Sequence, residues 1–131
     1  QTGCPTYLYN WFGAELTFVA STIPLDAGAF EITLTYHHDG GFGAGGEAVL
    51  SVNGVSVASN RIPRTVPVIY SMSGETFDVG RDTGSPVGPY PHNFAFTGTI
   101  ESVTLERLSQ ASEATKKAER KGQFQASLSS Q

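Results

Sequence analysis

The dipeptide Asn53-Gly54, set between EAVLSVN (47–53) and VSVASNR (55–61), constrains this chain most. Asn and Gly both accept the positive φ that a two-residue β-hairpin turn demands, and each flanking run is rich in strand formers. Ala48, Leu50 and Val52 share one parity and face inward on the first arm. Upstream, residues 29–38 alternate cleanly: Phe30, Ile32, Leu34 and Tyr36 on one side, Glu31, Thr33, Thr35 and His37 on the other. A period of two means one buried and one wet face. The chain therefore folds as antiparallel β.

TYLYNWF (6–12) and ELTFVAS (15–21), separated by Gly13-Ala14, read as a hairpin or tight corner. FDVGRD (77–82) is at best a short strand. AFTGTIESVTLERL (95–108) reads as the last strand, with a bulge at Gly98 or at Glu101-Ser102, where the apolar parity slips. Seven short strands at this spacing predict a jelly-roll-like, lectin-like β-sandwich over residues 1–108. Residues 109–131 change character to Ala, Ser, Gln and Lys and predict a short helix from Ala111 to Arg120, or a disordered tail.

With 131 residues, 15% charged and 11% aromatic, the chain has the make-up of one folded domain, not of a disordered segment. The body carries four arginines against ten acids, a net of −6, while the tail adds +2. An acidic body argues against nucleic acid as a partner, because phosphate binding draws on clustered Lys and Arg. No apolar run reaches the roughly 18 residues of a spanning helix, which argues against a membrane partner. The single Cys4 cannot close an internal disulfide. Gln1, directly before a strand-like run, suggests a cut or processed chain.

The densest block for backbone geometry is RIPRTVP (61–67) followed by ETFDVGRDTGSPV (75–87). Prolines fix φ there and glycines open turns. Arg61, Arg64 and Arg81, with Glu75, Asp78 and Asp82, predict loops stiffened by ion pairs. The acids Glu75, Asp78 and Asp82 are also the weak candidates for a cation, since calcium takes six to eight oxygens from carboxylates and loop carbonyls. GFGAGG (41–46) matches a dinucleotide pattern but lacks the strand–helix context, so it reads as a flexible loop between strands. Its excess glycine suggests close approach of another domain's backbone. His37 and His38 point to opposite faces and cannot share a metal. His92 is a loop residue. Asp82-Thr83-Gly84 lacks the second copy an aspartic protease needs, and no G-x-S-x-G elbow appears. No catalytic residue is assigned. Tyr7, Tyr9 and Trp11 share one strand face; they read as core aromatics or as a platform for sugar rings, with Tyr90 as a further contact.

Several blocks in order, YNWFGAE (9–15), YHHDGGFGAGGEAVLSVNG (36–54), the 61–87 block and FAFTGTIESVTLE (94–106), resemble the C-terminal β-sandwich region of bacterial arylsulfatases, over roughly residues 7–106. In that formylglycine-dependent family the chemistry lies upstream, where a C/S-x-P-x-R motif supplies formylglycine and carboxylates hold calcium or magnesium. Cys4-Pro5-Thr6-Tyr7 does not match that motif. The resemblance implies a non-catalytic accessory domain that packs on a sulfatase catalytic domain and shapes its substrate entrance. Arg61, Arg64, Asp78, Arg81 and Asp82 would then serve loop rigidity and interdomain contact. No cofactor is expected in this chain itself. A bacterial periplasmic or secreted setting is implied as well. The alternative is a free-standing carbohydrate-binding module. If family strands preceding Tyr7 are missing, an open sheet edge would invite self-association.

Overall fold

Residues 15–20 fold back on residues 6–11 because the chain turns within three residues. Phe12 (φ 51°) and Gly13 (φ 74°) are both left-handed, and Ala14 N donates to Trp11 O at 3.0 Å. In this computed structural model, which describes residues 3–67, 77–91 and 94–107, the hairpin joins β1 (Thr6–Trp11) to β2 (Glu15–Ala20). Its register sets Tyr7 opposite Val19, Tyr9 opposite Thr17 and Trp11 opposite Glu15, so these six share one face.

A second antiparallel sheet has the order β3-β4-β5, with β3 Ile32–His38, β4 Ala44–Val52 and β5 Val55–Arg64. Asn53 (φ 49°) and Gly54 (φ 80°) make the expected two-residue turn, and Val52 pairs with Val55. Asn53 also clamps the start of β3: its N–H donates to Glu31 O at 2.8 Å, and its Oδ1 accepts from Glu31 N at 2.9 Å. The register shifts between Leu50 and Ser51, where Leu50 faces Ala58 and Ser51 faces Ser56. Val57 is thus an extra residue on β5.

The two sheets meet over Val19, Ala48, Leu50 and Ile62, each at most 3% exposed, with Tyr7, Tyr9, Tyr36, Val57 and Ala58 around them. Burying side chains of this size contributes about 1.5–3 kcal/mol each for Val, Leu and Ile. The small sheet covers only one end of the larger. Ile32, Val52 and Val55 lie side by side across the larger sheet, yet Ile32 stays 52% and Val55 65% exposed.

The described chain is all-β, with two antiparallel sheets of two and three strands, neither closed. Among the described residues five strands form where seven were expected. Residues 77–82 and 95–107 make no strand; a single bridge joins Arg81 to Ala95. Their alternation is real, but a strand exists only where a neighbour takes its hydrogen bonds. Gly45 and Gly46 are buried in β4 and are not part of a flexible loop. A Cβ at Gly45 would strike the carbonyls of Ile62 and Pro63, and one at Gly46 would strike the Tyr36 ring. The close approach demanded by these glycines comes from this chain's own β3 and β5. The expected C-terminal helix (111–120), Glu75 and His92 lie outside the described residues.

Candidate functional site

The shared face of Trp11 and Glu15 opens toward β5, and Arg64 reaches across to it. Arg64 Nε and Nη2 both donate to Glu15 Oε2, at 3.1 and 2.9 Å, while its guanidinium carbon lies 3.8 Å from the centre of the Trp11 ring. A planar cation can stack and hydrogen-bond together in this way. Both charged side chains remain partly in water, so the pair stabilises by about 1 kcal/mol or less before the stacking is counted. One face of Trp11 is therefore occupied. A sugar ring could stack there only by displacing Arg64.

Tyr7 and Tyr9 lie between the sheets. Val66 N donates to the Tyr9 hydroxyl at 2.7 Å. Burial, then the neighbouring Tyr9, pushes the Tyr7 phenol up. Tyr36 opposes both from β3. Its hydroxyl is shielded from water and lies over Gly46, with no hydrogen-bond partner among the described residues. Desolvation, followed by Tyr9 and Asp39, pushes its pKa up to about 12. Trp11 Nε1 is a further buried donor without a partner among the described residues. Beside this cluster Arg61 forks onto Asp39 from β5, with Nη1 to Oδ1 at 3.3 Å and Nη2 to Oδ2. The Arg61 hydrogen bond holds the Asp39 carboxyl below the usual carboxylate range.

Asp78, Arg81, Asp82 and Tyr90 come together elsewhere, on the loop region against the outer side of β1. Asn10 Nδ2 donates to Val87 O at 2.7 Å, and Leu8 packs where a Gly88 side chain would sit. Asp78 Oδ2 accepts from Thr83 N at 2.8 Å and Thr83 Oγ1 at 2.7 Å, and these bonds lower its pKa. Tyr90 donates its phenol proton to Asp82 Oδ2 at 2.6 Å, and Val87 N donates to the same Tyr90 oxygen at 3.1 Å. With Phe77, Phe94 and Phe96 they line an open concavity of about 410 Å³.

The expected ion pairing within the 61–87 block is therefore corrected for Arg61 and Arg64. Arg61 and Arg64 pair with Asp39 and Glu15, not with Asp78 or Asp82. The loop carboxylates stiffen their own turns by accepting from backbone and hydroxyl groups. Among the described residues no three His, Cys, Asp or Glu side chains are gathered to hold a metal ion. Tyr36, Asp39, Glu15 and the three phenylalanines were not picked out from sequence. Only Glu15 had a usable signal: a hairpin turning at Gly13 puts it across from Trp11.

Comparison with protein-family models, with curated proteins and with solved structures gave no match.

Proposed function

We propose that this chain is a non-catalytic accessory domain of an arylsulfatase-like sulfuric ester hydrolase, packing on the catalytic domain and shaping its substrate entrance. The observation that carries this reading is the half-covered sheet. Phe30, Ile32 and Leu34 are 39%, 52% and 37% exposed on the side where Ala48 and Leu50 are sealed. A contiguous apolar face is a docking surface. The ordered sequence blocks that resemble the arylsulfatase C-terminal region say which kind of domain would cover it. In this reading the two sheets belong to a jelly-roll-like sandwich, and Arg61, Arg64, Asp78, Arg81 and Asp82 keep the loops near the entrance in shape. Formylglycine and the divalent cation belong to the catalytic domain.

The test is the coding sequence upstream of Gln1. A continuous frame carrying C/S-x-P-x-R supports the accessory role, and the separately produced catalytic domain should then bind this chain. A stop codon or an unrelated frame overturns it.

A second reading, a carbohydrate-binding module, draws on the concavity lined by Phe77, Tyr90, Phe94 and Phe96. Aromatic faces suit the apolar side of a pyranose, and the free oxygens of Asp78 and Asp82 suit its hydroxyls. Titration with a panel of oligosaccharides, followed by nuclear magnetic resonance, tests it. Shifts confined to this loop and lost in Tyr90→Ala support glycan binding; no shift at millimolar sugar overturns it.

A further inference from the structure

Two features of this chain are complementary, and neither is satisfied among the described residues. One is the outer edge of β3. Asn53 N bonds to Glu31 O, and Asp39 N bonds to Gly45 O. With the register Ile32–Val52 through His38–Gly46, this makes Glu31, Thr33, Thr35, His37 and Asp39 the residues that exchange hydrogen bonds with β4. The N–H and C=O groups of Ile32, Leu34, Tyr36 and His38 then point to the free side, where no described residue meets them. Side-chain contacts reach the other edges. Asn60 Nδ2 on β5 donates to Phe18 O on β2 at 2.9 Å, and β1 is flanked by Val87 and Gly88. Ile32–Tyr36 holds no Lys, Pro or charge of the kind that protects an edge.

The second feature is residues 97–106. This stretch is rich in Thr, Ile and Val, and its backbone makes no hydrogen bond among the described residues. Ile100, Val103 and Leu105 are 43%, 53% and 81% exposed. The chain is pinned just before it, where Phe96 N donates to Gly80 O at 2.7 Å. Donor strand and acceptor edge thus coexist in one chain and stay apart.

We propose that two copies of this chain pair reciprocally, the 97–106 segment of each adding as a fourth strand to the β3 edge of the other. Each exchange satisfies two rows of backbone groups and brings Val103 and Leu105, which share one parity, to a sheet that is short of apolar cover. A second copy is the natural partner, because it brings both halves of the pairing in equal number and two-fold symmetry closes the assembly.

Sedimentation equilibrium of the whole chain over a wide concentration range tests this, with three samples. The unaltered chain should dimerise. Val103→Pro removes a ladder donor from a segment whose backbone makes no hydrogen bond among the described residues, so it should leave the sheets folded; it should weaken the dimer about tenfold or more. Leu34→Pro removes one outward donor from β3, should weaken the dimer similarly, and is checked for native Trp11 fluorescence. A monomer at every concentration, or a dimer indifferent to Val103→Pro, overturns the proposal. Such a monomer with 97–106 protected from hydrogen exchange would mean the segment closes on its own chain.

Discussion

Arg64 ties β5 to the end of the first hairpin through two different contacts, and they can be separated. Arg64→Lys keeps the charge near Glu15 but loses the flat surface that lies on Trp11. It should cost about 0.5–1 kcal/mol and shift Trp11 emission, whereas Arg64→Ala should cost about 1–2 kcal/mol; urea denaturation separates them. Tyr36 makes the opposite kind of prediction. Its shielded hydroxyl has no partner among the described residues, so Tyr36→Phe should stabilise the fold by about 1 kcal/mol. The same site has a pH signature. The folded phenol titrates at about 12 and an unfolded one near 10, so above pH 10 the unfolded chain binds fewer protons than the folded chain. Stability from this group is intact below about pH 10 and falls as pH rises toward 12. Tyr36→Phe should flatten that part of the alkaline unfolding curve; an unchanged curve would mean the hydroxyl is solvated.

Among the elements, β3 as a strand, the Asn53-Gly54 turn and the inward set Ala48–Leu50 were legible because each rests on neighbours within a few residues, whereas the expected buried face of β3 is open at Phe30, Ile32 and Leu34. Turn chemistry and period-two alternation are local signals. The 95–108 segment misled for the same reason. Its alternation states a propensity, while pairing depends on an edge far along the chain. The site followed the same rule. Arg61 meets Asp39 across 22 residues and Arg64 meets Glu15 across 49, separations no local pattern encodes. Two glycines test how the elements are held. Gly54→Ala keeps the turn at the cost of a left-handed alanine, about 1 kcal/mol by thermal unfolding. Gly45→Ala drives a methyl into the Ile62 and Pro63 carbonyls, and should cost about 3 kcal/mol or more with loss of β4–β5 pairing by hydrogen exchange.

For the molecule as a whole, the decisive quantity is how little is sealed. Among the described residues the fully buried apolar set is Val19, Ala48, Leu50 and Ile62, while Phe30, Ile32, Leu34 and Val55 stay in partial contact with water. A domain of this size has about 5–15 kcal/mol to lose, so each sealed side chain carries a sizeable share of it. Ile62→Ala, at a site 1% exposed, should cost about 2–5 kcal/mol and leave a large unfolded fraction near body temperature. Ile32→Ser, at a site 52% exposed, should change stability by less than about 0.5 kcal/mol. The two substitutions should exchange rank once a partner is added. If the accessory reading holds, Ile32→Ser would then weaken attachment to the proposed catalytic domain and leave the isolated chain intact. If Ile32→Ser instead unfolded the isolated chain as Ile62→Ala does, the sheet face would already be covered within one chain. The accessory reading would then lose the surface it stands on.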